Sequence, residues 1–430
     1  MSALSAVRQT PFWLDTADGF PDRSTNVLPE QADVVVVGGG LTGLSTALHV
    51  ARKGAAVVLV ERDRMGSGAS CRNGSMCTQG MTISPQMAIR RYGESRAREL
   101  YDSFRQAVSY VEEIVTKESI DCHFYRAGRL GLAAKPEHFE HMKHTQELLA
   151  TKFDHEVRLV EKQNLGDEIG SGFFHGAFLD PLSAGLHVGK YVRGLADVAE
   201  RAGALLIERC AATRVAKEGT KTVVTTTRGQ VRCNQVLVAT DAYTDAAVPD
   251  LQRRVVPVGS FIIATEPLGD DLAREVSPRN RMLVDSKNIG HYFRLTPDNR
   301  MMFGGRARFA PSNPESDRKS GRILQRDMLK VFPQLAGVKI DYLWGGSVGF
   351  TMDRIPHAGE MNGKYFAMGY CGHGVQMSTY MGKCMAEVMD GHPDANPWRG
   401  ITFRPWPLYK GNAWFLPIGG AYYKAKDRLK

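Results

Sequence analysis

The stretch VVVVGGGLTGLSTALHVARKGAAVVLVER, residues 34–62, constrains the fold of this chain more than any other feature. An apolar run meets Gly38-x-Gly40-x-x-Gly43, a helical pattern follows, and a second apolar run closes on Glu61. Strand, glycine turn, helix and strand in about thirty residues is the span of a βαβ unit. Gly38 permits the tight turn, Gly40 lets the backbone approach a pyrophosphate, and Gly43 lets the helix lie close to the strand; the helix N-terminus offers free N–H groups to phosphates. Glu61, about twenty residues on, is placed to accept hydrogen bonds from ribose hydroxyls. The pattern predicts a dinucleotide-binding domain without separating NAD from FAD.

The residues after Glu61 do separate them. RDRMGSGASCRNGSMCTQG (62–80) sets Gly66, Gly68, Gly74, Gly80 and Arg72 in a polar loop where a plain NAD domain continues with its next strand and helix. Such a loop suits the ribityl chain and ring of a flavin. Near the other end, GYCGHGVQMSTYMGKCMAEVM (369–389) places Gly369, Gly372 and Gly374 at the entrance to an apolar helix. The positive end of that helix favours an anion, including the negative charge of a reduced flavin, and His373 adds a donor.

Between these motifs the expected elements are a helix from Pro85 to Thr116, a strand in GRLGLAAKP (128–136), a helix in PEHFEHMKHTQELLATKF and a helix-strand pair over 187–208. Alternating, antiparallel-type stretches follow at 220–240, 254–268 and 290–309, then a helix at 317–332, a glycine-containing apolar segment and the strand KYFAMGY. The fold class expected is α/β: a discontinuous, Rossmann-like FAD-binding domain with an inserted antiparallel-sheet substrate domain. The boundaries expected are an N-terminal arm at 1–30, the FAD-binding domain at 31–90, 155–250 and 335–390, the substrate domain at 91–154 and 251–334, and a C-terminal strap at 391–430.

The net charge of +9, concentrated in 252–306 and after Arg399, is met by an anionic cofactor, so no nucleic-acid partner is expected. Seven cysteines without CxxC spacing indicate neither a disulfide framework nor a zinc ribbon. His138, His141 and His144 step by three around a helix, and no metal is expected there. Without a secretory signal pattern or a membrane span, the expected address is the cytoplasm. The sequence leaves a homo-oligomer open.

The ordered set VVVVGGGLTGLSTALHVA, GSGASCRNGS, IDCHFYRAGRLGLA, LVATDAY, HYFRLTPDNRMMFGGRA, WGGSVGFTMDRIPHAG and GYCGHGV resembles the flavin oxidoreductase family of D-amino-acid oxidase, glycine oxidase and monomeric sarcosine oxidase. Within it, the likeness is to the branch of bacterial gamma-glutamylputrescine oxidases and their relatives. The resemblance implies pyrophosphate contacts at Gly38, Gly40, Leu41, Thr42 and Gly43, and ribose contact at Glu61 with Arg62 beside it. It implies a flavin lining from Gly68, Ala69, Ser70, Arg72, Asn73, Gly74 and Ser75, and an adenine contact at Val215. Ala239 and Thr240 would lie above the pyrophosphate, and Gly372, His373, Gly374, Val375 and Gln376 at the flavin edge.

Cys71, Ser75 and Cys371 depart from the residues usual in that branch. Val348 stands where the sarcosine oxidase branch has its flavin-linking cysteine, so noncovalent FAD is expected. Gln376 replaces that branch's carboxylate-binding lysine, and no counterpart of its oxygen-reactive lysine is found near Phe303.

The chemistry implied is oxidation of an amine or amino acid C–N bond by hydride transfer to flavin N5. The imine hydrolyses to a carbonyl product, and O2 is reduced to H2O2. An amine dehydrogenase with another electron acceptor and a noncatalytic flavoprotein subunit stand as alternatives. His373, Tyr292 and Trp344 are the catalytic candidates; Tyr292, Arg294, Phe309 and Trp344, with Phe293 among them on the same strands, are the substrate candidates.

Overall fold

The computed structural model describes residues 7–17, 19–305 and 312–429. Phe309 lies outside them.

The apolar run after Asp33 becomes the strand Gln31–Val37, paired in parallel with Gly229–Val238 on one side and Val57–Val60 on the other. Its valines alternate between two cores: Val34 and Val36 face the helix Leu41–Arg52, while Val35 and Val37 face a layer built around the hairpin Ala212–Glu218 and Lys221–Thr226. Burial on both faces is why the strand reads as unbroken valine. The sheet continues through Lys364–Met368 to His357–Met361 on one edge and to Leu205–Ile207 on the other. The chain enters this sheet, leaves it, returns at 205–238 and returns again at 357–368, so the nucleotide-type domain is discontinuous.

A second eight-stranded, largely antiparallel sheet runs in the order Ile340–Phe350, Val256–Thr265, Met301–Gly305, His291–Leu295, Met282–Asp285, Arg129–Leu132, Gly176–Asp180, Arg158–Glu161. Period-two alternation sends Leu130, Leu132, Leu283, Phe293 and Phe303 into a core closed by the helix Pro314–Val331. The opposite face carries Arg129, Val284 and Tyr292 toward the first domain.

Several expectations change. The strands Arg158–Glu161, Gly176–Asp180 and Ile340–Phe350 belong to the second sheet, so the segments 155–250 and 335–390, expected in the first domain, each contribute strands to both sheets. The helix Glu94–Lys117, inside the expected substrate segment 91–154, buries Leu100, Phe104 and Val111 in the core shared with Leu41–Arg52. Local pattern names an element; its sheet depends on pairing across a hundred or more residues. The helix expected over Pro85–Thr116 is two, Pro85–Tyr92 and Glu94–Lys117, broken at Gly93 with φ +77°.

The tail also differs from a plain strap. It buries Trp398, stacks Phe403 on His357 at 4.3 Å, and then forms the helix Leu416–Leu429. That helix docks through Asp427, which accepts hydrogen bonds from the N–H groups of Asn288 and Ile289. The N-terminal arm does lie over the body: Trp13 is fully buried and its indole N–H donates to the Asn73 carbonyl at 2.8 Å. No helix among the described residues is long and apolar enough to cross a membrane.

Candidate cofactor and substrate cleft

Between the carboxyl ends of the first sheet and the open face of the second lies a cleft of about 1120 Å³. Open parallel sheets bind ligands at this end of their strands. The turn after Gln31–Val37 supplies Gly38, Gly40, Leu41 and Thr42. Gly38 has φ +111°, and a Cβ there would stand 2.9 Å from the Ala239 carbonyl oxygen. A Cβ on Gly43 would lie 2.0 Å from the Gly38 oxygen, so this glycine brings helix and turn together without itself lining the cleft. The N–H of Leu41, at the helix start, donates to Ser70 Oγ at 3.0 Å.

Glu61 also reaches the cleft. Its carboxylate accepts the Gly39 N–H at 2.6 Å and the Asp63 N–H at 2.9 Å, one on each oxygen. Burial raises its carboxyl above the ordinary range, and the two backbone donors offset part of that rise. Each oxygen keeps acceptor capacity for a further donor. Gly39, absent from the sequence-based list, makes the approach possible: a Cβ there would meet Glu61 Cβ at 2.9 Å and Met65 Sδ at 2.5 Å. Arg62 pairs with Asp245 at 3.0 Å.

The loop after Glu61 folds along the cleft, placing Gly68, Ala69, Ser70, Arg72, Asn73 and Gly74 in its wall. Arg72 donates to the carbonyls of Ser67 at 2.7 Å and Gly345 at 3.0 Å, so it stitches this loop to the second sheet. Ala239 and Thr240 line the opposite side, and Gly372, His373, Gly374 and Val375 a third. The structure brings these predicted residues into one cavity.

At the second-sheet end, the Tyr292 ring crosses Gly304, where a Cβ would fall 2.4 Å from Cε2, and is bounded from above by Gly74. Its hydroxyl meets Ser260 Oγ at 3.0 Å. Beside it, His373 begins the helix Gly374–Met389 and turns its ring edge-to-face with Phe104 at 5.9 Å. Its Nδ1 is buried without a hydrogen-bond partner among the described residues. Burial pushes the imidazole down to about 4, the Arg129 cation adding to the effect, so His373 is neutral at physiological pH.

Seven expected residues stand elsewhere. Gly43 sits behind the turn, as above. Ser75 is fully buried and donates to the Leu186 carbonyl at 2.6 Å. Val215 packs in the core of the second layer, while Ala212 of the same strand and Val248 form the wall. The Gln376 amide donates to the Thr78 carbonyl at 2.6 Å, tying helix to loop. Trp344 is fully buried, its indole N–H reaching the Arg72 carbonyl at 3.2 Å. Arg294 is fully buried too, donating to the carbonyls of Ser75, Leu186 and Leu295, and Phe293 belongs to the second sheet's core. The substrate roles expected for Trp344 and Arg294 are therefore corrected: loops 72–76 and 184–186 cover the face from which they project.

The sequence reading missed Asp241, Tyr243 and Tyr370, which also line the cleft. Asp241 accepts the Gly369 N–H at 2.7 Å, and Tyr370 shares a 2.7 Å hydrogen bond with Thr42. Asp241 and Tyr243 sit one and three residues beyond the recognised stretch 220–240, and Tyr370 closes the recognised strand KYFAMGY, so attention to the carboxyl ends of these strands would have found them.

Residues 33–388 match the family model described as FAD dependent oxidoreductase. The chain is 34% identical to the gamma-glutamylputrescine oxidoreductase of Escherichia coli (strain K12), over 92% of this chain and 93% of that one. The chain belongs to this family. A probable oxidoreductase, OrdL, of Haemophilus influenzae is 33% identical over 93% of both chains. The fold is similar to the crystal structure of glycine oxidase from Geobacillus kaustophilus, with a TM-score of 0.72, 19% identity, and coverage of 87% of this chain and all of that one. As a member of the FAD-dependent oxidoreductase family the chain uses FAD, and the cleft is the cavity whose donors suit it: glycines cleared for a pyrophosphate, a carboxylate with free acceptor capacity, and a long glycine-rich wall.

Proposed function

We propose that this protein oxidises the C–N bond of a small amine or amino acid, giving an imine that water converts to a carbonyl compound and a free amine. The observation that carries the proposal is the continuity of the cleft, from the Gly38 turn and Glu61 at one end to Tyr292 and His373 at the other. The likeness to relatives named for gamma-glutamylputrescine and glycine supports amines as the donors.

In this reading Gly38, Gly40, Leu41 and Thr42 hold the pyrophosphate, Glu61 the ribose, and the wall from Gly68 to Gly74 the flavin side, all without a covalent link. When bound, the flavin supplies the two-electron acceptor for the C–N bond. The residues of the chain orient the amine against it and exclude water. Tyr292 offers its ring face as a platform, since its hydroxyl is engaged by Ser260. Neutral His373, with one ring nitrogen unpartnered, supplies a donor or acceptor without adding positive charge near a cationic substrate.

A protonated amine lacks the lone pair that expels electrons toward the acceptor. The rate of flavin reduction is therefore expected to rise with pH through the amine's own apparent pKa. His373, already neutral above about 4, adds no inflection near neutrality. Anaerobic mixing of the holoenzyme with gamma-glutamyl amines, polyamines and amino acids, following loss of flavin colour against pH, tests both points. A profile flat from acid to alkali contradicts the lone-pair argument; absence of bleaching by every amine refutes the function.

With O2 as acceptor, one amine, one O2 and one water give one carbonyl compound, one free amine and one H2O2. A second reading, transfer to an acceptor other than O2, is favoured by one feature: no lysine lines the cleft among the described residues. Admitting air to the reduced enzyme separates the two. Rapid return of colour with H2O2 formation establishes the oxidase; slow return with fast reoxidation by a quinone analogue establishes the dehydrogenase.

A further inference from the structure

The described residues include six exposed large apolar side chains, and four of them fall between positions 408 and 422 of the tail. Leu408 is 83% exposed, and Trp414, Ile418 and Tyr422 are each more than half exposed. Single exposed apolar residues need no explanation, but a cluster does. Trp414, Ile418 and Tyr422 step by four, so they form one stripe along the helix Leu416–Leu429 and the turn that leads into it. The opposite face of that helix is tied to the body: Leu416 packs with Val256 and Val258, and Asp427 accepts the Asn288 and Ile289 N–H groups.

Leu408 reaches the cluster through a strained turn. Pro407 and Leu408 are its central residues, closed by the Tyr409 N–H on the Trp406 carbonyl at 3.3 Å, and Leu408 has φ +58°. Glycine or asparagine is the usual occupant of that position. A leucine there is held at a conformational cost with almost no burial to offset it. The turn is fixed against the helix start, because the rings of Trp406 and Tyr409 meet Phe415 at 5.7 and 6.3 Å, and Phe415 meets Trp414 at 5.8 Å.

The charge around the cluster has one sign. From Arg404 to Lys430 the sequence carries six lysines and arginines and a single acid, Asp427, whose carboxylate is already engaged. Arg404 and Lys410 are exposed, and Lys426 continues the stripe four residues beyond Tyr422. An apolar and aromatic helical stripe among cations suits a lipid–water interface, with Trp and Tyr at headgroup depth. Two copies meeting through this face bring like charges together, which disfavours a dimer.

We infer that Leu408, Trp414, Ile418 and Tyr422 dock this protein on an anionic membrane surface, with the helix lying in the plane of the headgroups. The docked helix adjoins the second-sheet wall of the cleft: Val258 precedes Ser260 on the same face of its strand, and Ile289 precedes Tyr292. A lipid-soluble electron acceptor is thereby concentrated near the flavin. That consequence rests on the second reading above; the docking does not.

Flotation of the holoenzyme tests it, with vesicles of phosphatidylcholine alone and of equal parts phosphatidylcholine and phosphatidylglycerol. At low salt the anionic vesicles are expected to bind about 10-fold or more tightly than the neutral ones. L408S/I418S/Y422S and K410E/K426E are each expected to weaken that binding by about 10-fold or more. Trp414 emission is expected to shift to the blue on binding, and W414F to lose the shift. None of these side chains lines the cleft, so the flavin spectrum reports that each variant is folded.

No flotation with anionic vesicles overturns the inference, as does wild-type binding by L408S/I418S/Y422S. A dimer that this variant dissociates assigns the stripe to a second copy, and equal binding to polyglutamate with Trp414 emission unmoved assigns it to an acidic protein; either overturns lipid docking. If the triple variant loses its flavin, the Trp414 shift in wild type against W414F decides. Vesicle binding is read without turnover, so its failure and that of amine oxidation are distinguishable.

Discussion

At the scale of single residues, the glycines of the first turn make separable contributions. A Cβ on Gly43 collides with backbone, the Gly38 carbonyl at 2.0 Å, so Gly43→Ala must lift the helix Leu41–Arg52 off its strand. A Cβ on Gly40 meets only the terminal Ser70 Oγ, at 2.8 Å. Gly43→Ala is therefore expected to lose about 1–3 kcal/mol of stability, as overpacking does. Gly40→Ala is expected to keep its apoprotein Tm and lose FAD affinity, because the displaced Ser70 and the new methyl occupy the pyrophosphate's approach. Tm of the stripped proteins and FAD titration check the pair, and the reverse order contradicts the assignment. Tyr292 gives a second contrast. Tyr292→Phe removes the hydroxyl, and with it the contact to Ser260, and is expected to lower kcat/KM by less than about tenfold. Tyr292→Ala empties the space between Gly74 and Gly304 and is expected to cost both FAD retention and activity. Equal effects of the two substitutions in steady-state kinetics would place the function in the hydroxyl instead.

At the scale of elements, the helix Pro314–Val331 is pinned to the second sheet by charge as well as packing. His291 Nδ1 meets Asp285 at 2.9 Å, and Nε2 faces Asp327, on the helix, at 3.6 Å. Burial alone would lower the imidazole pKa, but the hydrogen bond to Asp285 and the facing Asp327 carboxylate outweigh it and raise it to about 8. Because the folded value lies above the unfolded one, this contribution is complete below pH ~6.5 and is lost as pH rises through about 8. On the acid side Asp327, whose pKa burial would raise but His291, Lys330 and Arg326 hold low, withdraws its share as it protonates. Urea unfolding is expected to show about 2 kcal/mol more alkaline loss in wild type than in H291Q; parallel pH curves contradict the coupling. This ion cluster was not legible in the sequence, because it joins residues 285, 291 and 327 across three elements. Elements themselves were legible where periodicity is local, as in 34–62. The expected substrate set took Phe293 together with Tyr292 and Arg294, although Phe293 faces the other side of the strand, and the sequence does not reveal the carbonyls of Ser75 and Leu186 that close over Arg294. Arg129 carried the converse problem: its strand was recognised, but nothing local told that its cation would meet an open cleft.

At the scale of the whole molecule, the cleft is walled by both sheets, and its ligand bridges them while the tail holds the same body from outside. Trp398 is 1% exposed and packs edge-to-face on Phe104 at 5.7 Å, in the core beneath the helix that starts at His373. Trp398 does not line the cleft. Bound FAD stabilises the native state by mass action, about 2.7 kcal/mol at a free concentration 100 times its Kd. Trp398→Ala removes a large buried side chain and is expected to cost about 3–5 kcal/mol in the apoprotein. Since the two act through different contacts, FAD should add nearly the same increment to wild type and to Trp398→Ala, measured as the rise in unfolding free energy at fixed free FAD. A variant whose FAD increment vanishes would show instead that the tail shapes the cleft itself, through Phe104 and His373, and that the outer strap and the cofactor wall form one cooperative unit.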